Sequence, residues 1–112
     1  MNNIDGKELE NSVLGCVILY PKVFDTICGF FIKDDVFYQS KAQLLWNRIK
    51  QMKRNNEHID LVTVCSDIDK NDIANGLTPL YITECTSSVP LADTAPIYAR
   101  KIYDKYLLRN II

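Results

Sequence analysis

Apolar residues recur at intervals of three and four positions through most of this 112-residue chain. The first such segment carries Leu9, Val13, Cys16, Val17 and Tyr20. This spacing places the five side chains on one face of an α-helix, whereas a half-buried strand would alternate apolar and polar residues. Few segments alternate in that way over the length of a strand. The pattern therefore predicts an all-α fold.

Capping and turn residues divide the periodic segments into about six helices, which we expect to pack as a compact orthogonal bundle. The polar stretch 69–72 is expected to lie outside these helices. The last helix is expected to run from about residue 95 to the chain end. The residues that mark the predicted boundaries are Asp5, Glu8, Pro21, Gly29, Asn55, Asn56, Asp60, Asn75, Gly76, Thr78 and Pro79.

Residues 30–38 are rich in aromatic side chains and lack a helical period. We interpret this segment as a loop that its rings attach to the core. Phe37, Tyr38 and Trp46 are predicted to be core residues.

Size and charge limit the classes of function. The chain has the length of one domain, 1–112. Thirteen basic residues against fourteen acidic ones give a net charge of −1, so DNA contact is expected to be weak or absent. The longest apolar run, 13–19, is too short to span a bilayer, and the N-terminal segment is acidic where a signal peptide would be basic. We therefore expect a cytoplasmic protein without a membrane contact.

The residue types needed for a metal or catalytic site are sparse. The four cysteines form no C-x-x-C pair, and His58 is the only histidine, so no metal site is predicted. The rival enzymatic interpretation pairs a cysteine with His58, but no local motif supports it. The glycines lie at 6, 15, 29 and 76, and none belongs to a Gly-rich phosphate loop. We expect no catalytic or cofactor-binding residue in this chain.

Several segments, in order along almost the whole chain, resemble the N-terminal domain of DnaB-type replicative DNA helicases. They are residues 10–15 (E-N-S-V-L-G), 35–38 (D-V-F-Y), 59–63 (I-D-L-V-T), 81–84 (Y-I-T-E), 88–90 (S-V-P) and 98–102 (Y-A-R-K-I). The chain departs from the family's pattern at three positions. The family often has a Pro near the position of Ser40, a His at the position of Ala42 and a Gly at the position of Asn75.

This resemblance implies a non-catalytic domain that precedes a linker and a RecA-like motor. Family members of this kind pair into dimers within the collar of a hexamer and dock primase and, in some cases, a helicase loader. ATP and Mg²⁺ are expected only in the motor. The helix at 95–112 is similar to the first arm of the family's dimerisation hairpin, and we expect that hairpin to be truncated here.

Tyrosines near the chain end indicate where pairing would occur, because Tyr is enriched at protein interfaces. We predict Tyr103, Tyr106, Leu107 and Ile111 as self-association residues, with packing inside a single chain as the alternative. Lys101, Lys105 and Arg109 form a stripe that we interpret as a solvated face, the alternative being contact with DNA or an acidic partner. A stand-alone helical adaptor, or the helicase-binding domain of a primase, is the rival to the helicase interpretation.

Overall fold

Seven α-helices and two short 3-10 helices make up the regular structure of the residues that the computed structural model describes, 6–31, 33–87, 89 and 92–111. These residues include no strand, and the all-α fold class is confirmed. The α-helices are α1 (Gly6–Leu19), α2 (Phe24–Cys28), α3 (Ser40–Arg54), α4 (Leu61–Cys65), α5 (Lys70–Ala74), α6 (Pro79–Ser87) and α7 (Ala95–Arg109). The 3-10 helices cover Pro21–Val23 and Ala92–Thr94. Asp5 of the predicted capping box, Ser88, Pro90 and Ile112 lie outside the described residues.

Helix α1 is the central element, and it packs most extensively against α6 and α7. Its sequence explains this position, because apolar residues surround most of the helix rather than one stripe. The buried apolar side chains of α1 are Leu9, Val13, Leu14, Cys16, Val17 and Ile18.

Gly15 allows α6 to approach the backbone of α1. A Cβ atom at this position would lie 1.8 Å from the carbonyl oxygen of Cys85 and 2.9 Å from Cγ2 of Val89. These distances are far below van der Waals contact, so the helices can lie this close only where no side chain is present.

Four aromatic rings form a second part of the core beside α3. The Trp46 ring stacks on Phe24 at a centroid distance of 5.1 Å and meets the edge of Phe31 at 5.5 Å. The Phe37 ring completes this aromatic cluster at 5.9 Å from Trp46. The prediction that rings attach the 30–38 segment to the core therefore holds for Phe31 and Phe37.

The prediction that Tyr38 is a core residue is wrong, because 67% of Tyr38 is exposed. Its backbone N–H donates to the Glu10 carboxylate at 2.6 Å, and its ring faces the Arg109 guanidinium at 5.3 Å. Phe37 occupies the inward position in the loop, which leaves Tyr38 on the outside.

Helix α5 was not predicted, since the polar stretch 69–72 carries no apolar period. The Asp69 carboxylate accepts a hydrogen bond from the backbone N–H of Asn71 at 2.8 Å and so caps the start of the helix. Gly76, at a φ of 104°, follows the last turn, as the predicted Asn75–Gly76 turn requires.

Two predicted helix starts are confirmed by their caps. The Asp60 carboxylate accepts from the backbone N–H of Thr63 at 2.8 Å, and Thr63 Oγ1 accepts from the N–H of Asp60 at 2.9 Å. These bonds form a capping box for α4, and the one from the Thr63 backbone is the main cause that lowers the pKa of Asp60. At α6, Thr78 Oγ1 accepts from the N–H of Tyr81 at 3.1 Å.

We predict that Gly15→Ala destabilises the protein, although Gly to Ala within a helix usually stabilises by roughly 0.5–1 kcal/mol. The new methyl group would overlap the Cys85 carbonyl and force α1 and α6 apart. We expect the free energy of unfolding, measured with urea, to fall by about 2 kcal/mol or more, within the range seen for overpacking.

Gly6→Ala is the matched control on the same helix, because among the described residues its Cβ would meet only Cδ of Lys105, at 3.8 Å. Equal free energies of unfolding for the two variants would contradict this explanation of Gly15.

Candidate protein interface at the end of the last helix

Three large apolar side chains within five residues are exposed at and just beyond the end of α7. Leu107 is 44% exposed, Leu108 69% and Ile111 70%. Leu107 and Leu108 are successive residues in the last turn of α7, and Ile111 directly follows the C-cap residue Asn110. We call Leu107, Leu108 and Ile111 the apolar end face.

Other large apolar side chains are exposed as well, but they are spread over several elements of the described structure. Adjacent exposed apolar groups of one patch indicate an interaction site, whereas scattered ones are normal on a protein surface. The scattered residues are Leu19, Tyr20, Tyr38, Val62, Ile73, Leu80 and Ile97.

The four predicted self-association residues divide into two groups. Leu107 and Ile111 lie on the apolar end face. Tyr103 and Tyr106 are half-buried against the core, and their rings stack at a centroid distance of 5.7 Å. Leu108 lies between the predicted positions and is exposed as well, but the sequence analysis did not include it.

The last turn of α7 also contacts the loop 33–39. The Tyr106 hydroxyl donates to Oδ1 of Asp35 at 3.3 Å, and Nη2 of Arg109 donates to the carbonyl oxygen of Val36 at 2.9 Å. Desolvation and the neighbouring Asp35 carboxylate raise the pKa of Tyr106, so its phenol remains protonated as the donor. The Arg109 guanidinium lies between the rings of Tyr38 and Tyr106, at 5.3 and 5.9 Å from their centroids.

These contacts change the interpretation of the Lys101, Lys105 and Arg109 stripe. All three residues are exposed. Arg109 is exposed as the solvated-face interpretation expects, but its side chain also binds the loop through one hydrogen bond and two aromatic rings.

Glu10 holds the other side of the same loop. Only 3% of this residue is exposed. Its Oε2 accepts from the backbone N–H of Tyr38 at 2.6 Å, and its Oε1 accepts from the backbone N–H of Gln39 at 3.2 Å and from Gln39 Nε2 at 3.1 Å. Gln39 is the N-cap residue of α3, so the carboxylate also faces the positive end of that helix.

The sequence contained a signal for this role of Glu10. At 100° per residue, Glu10 lies between Val13 and Leu14 on α1, so a carboxylate interrupts the apolar surface of the helix. A buried carboxylate needs hydrogen-bond donors, but the sequence did not show that residues 38 and 39 provide them.

The side chains required by the rival enzyme site are not prepared for catalysis. Desolvation raises the pKa of all four cysteine thiols, that of Cys85 to about 12, which disfavours the nucleophilic thiolate. Nε2 of His58 is instead 3.1 Å from Oδ2 of Asp60. Within the described residues, no group of three His, Cys, Asp or Glu side chains could hold a metal ion.

The comparison with known families agrees with the resemblance that the six segments between residues 10 and 102 show. The model of the family described as "DnaB-like helicase N terminal domain" matches residues 3–104. The chain belongs to this family.

Curated relatives of this DnaB-family domain are replicative helicases. The replicative DNA helicase DnaC of Bacillus subtilis (strain 168) is 32% identical over 106 residues, which are 94% of this chain and 23% of the relative. The replicative DNA helicase DnaB of Geobacillus stearothermophilus is 29% identical over the same shares of the two chains, 94% and 23%. The chain thus spans less than a quarter of the length of these relatives.

A solved structure has the same fold. The crystal structure of the N-terminal domain of DnaB helicase from Mycobacterium tuberculosis is similar with a TM-score of 0.81 and 28% sequence identity. The similarity covers 91% of this chain and 74% of the other. Within the described part of the DnaB-family chain, no helix combines the length and the apolar character needed to cross a membrane.

We predict that Glu10→Gln destabilises this DnaB-family domain. The glutamine amide would lose the negative charge and turn one donor toward the N–H groups of Tyr38 and Gln39. Since a buried donor without an acceptor costs about 1–3 kcal/mol, we expect the free energy of unfolding to fall by a value in that range. Urea unfolding followed by circular dichroism would measure it.

Glu8→Gln is the control, because Glu8 is exposed in the first turn of the same helix. Loss of the Glu8 charge should lower the free energy of unfolding by only a few tenths of a kcal/mol, roughly the lower end of helix-dipole effects. If both glutamine variants unfold at the same urea concentration, the structural role given to Glu10 is wrong.

Proposed function

We propose that this chain is the N-terminal scaffold domain of a hexameric replicative DNA helicase, in which it pairs subunits in the collar and docks primase. Family membership and the named activity of the relatives support this proposal. Because the chain spans less than a quarter of those relatives, we place ATP and Mg²⁺ binding and strand separation in other parts of such a helicase.

The apolar end face is the single observation that carries the pairing part of the proposal. Three aliphatic side chains in the last turn of α7 and just after it are each about half exposed or more. Removing a Leu or Ile side chain from water contributes roughly 1.5–3 kcal/mol, so a second copy that covers this face would gain stability.

A two-fold pairing suits this face, because symmetric dimers use the same patch on both subunits. The half-buried Tyr103 and Tyr106 flank the face, and Tyr and Arg are enriched at the centres of interfaces. Asp104 and Lys105 are exposed beside it, and antiparallel copies would bring opposite charges together at its edge. We therefore keep Tyr103, Tyr106, Leu107 and Ile111 as self-association residues and add Leu108.

We propose docking of primase, and of a helicase loader where one exists, on the basis of family membership alone. The net charge of −1 supports a protein partner rather than DNA, since nucleic-acid-binding domains usually carry a basic excess. Titration of the chain with the primase of its own source, followed by calorimetry, would test this part. Saturable binding supports docking, and the absence of heat and of co-migration on a sizing column contradicts it.

We predict that the double variant Leu108→Ser, Ile111→Ser pairs more weakly than the unchanged chain. Each substitution removes an apolar side chain from both copies of a symmetric contact. We expect the dimer dissociation constant, measured by sedimentation equilibrium, to rise tenfold or more, which corresponds to about 1.4 kcal/mol.

Val62→Ser with Leu80→Ser is the matched control, because these side chains are equally exposed but lie on α4 and α6. It should leave the dissociation constant unchanged. A chain that stays monomeric at millimolar concentration would contradict the pairing proposal.

A further inference from the structure

The contact between loop 33–39 and the last turn of α7 joins two parts of the protein that are distant in sequence. We propose that this contact acts as a conformational latch that couples the position and order of the apolar end face to the loop and to the start of α3. The latch consists of Asp35, Val36 and Tyr38 on the loop and of Tyr106 and Arg109 on α7.

The last turn of α7 depends on this contact because the core supports it little. Burial along α7 ends at Ile102, and Tyr103 and Tyr106 are half-buried. Every residue from 107 to 111 is exposed. The ends of helices fray where packing is absent, so the side chains of Tyr106 and Arg109 decide how well this turn is held.

The loop, in contrast, is held firmly on its inner side. The Glu10 carboxylate accepts from the backbone N–H groups of Tyr38 and Gln39. The Phe37 ring lies in the aromatic cluster, and its backbone N–H donates to Oε1 of Gln43 at 3.1 Å. The loop can therefore serve as a fixed support against which α7 is placed.

Coupling of this kind acts in both directions. A loosened loop leaves the last turn of α7 less ordered, and a partner that orders this turn makes the loop less mobile. The effect on pairing rests on the function proposed above, whereas the coupling within one chain does not depend on it.

Hydrogen exchange measured by NMR on the 112-residue chain, at a concentration where it is monomeric, tests the latch from both sides. Tyr38→Ala is expected to lower the protection of the amides of residues 107–110 roughly fivefold, the lower end of typical couplings between sites. Arg109→Lys keeps the charge at the helix end but loses the planar donor group, and it is expected to lower the protection of Tyr38 and Gln39 by a similar factor.

The crossed readout separates the latch from local effects, because each substitution is detected on the other element. Leu80→Ala and Lys101→Gln alter exposed residues that are not part of the latch, and they should change neither set of amides. The proposal is overturned if each variant affects only amides near its own position.

A sedimentation measurement on Tyr38→Ala then separates the latch from pairing. Crossed loss of protection together with weaker pairing supports both proposals. If each substitution lowers protection on the other element but the chain does not pair at any concentration, the latch stands and the proposed function is contradicted.

Discussion

The buried carboxylate of Glu10 is the interaction on which the arrangement around α3 depends. A charge that is 3% exposed is stable only with donors around it, and two backbone N–H groups and one side-chain amide provide them. These donors belong to residues 28 and 29 positions further along the chain. The carboxylate therefore fixes the loop 33–39, directs Phe37 into the aromatic cluster and leaves Tyr38 on the outside.

Helix α1 combines this polar contact with a close approach of α6 at Gly15. Glu10 binds the loop on one side, and Gly15 admits the Cys85 carbonyl on another. The two residues belong to the segment 10–15 that carried the resemblance to DnaB-type helicases. Through the loop, the position of α1 is transmitted to Arg109 and to the apolar end face at the opposite end of the sequence.

Helical periodicity was sufficient to predict the fold class, because α1, α3 and α7 bury apolar residues at the expected spacing. It could not predict α5, which is short and depends on the Asp69 cap. The outward position of Tyr38 follows from a long-range hydrogen bond that no local pattern reveals. Leu107 and Ile111, which the sequence predicts as self-association residues, are exposed in the structure. The binding of Arg109 to the Val36 carbonyl could be seen only in the folded structure.

We propose that copies of this domain meet at the apolar end face. Methyl NMR spectra recorded over a range of protein concentrations would test it most directly, since each methyl group reports on its own surroundings. If the copies meet there, the methyl signals of Leu107, Leu108 and Ile111 shift together with concentration while those of Val62 and Leu80 do not. Shifts confined to Val62 and Leu80, or no shifts up to millimolar concentration, would contradict it.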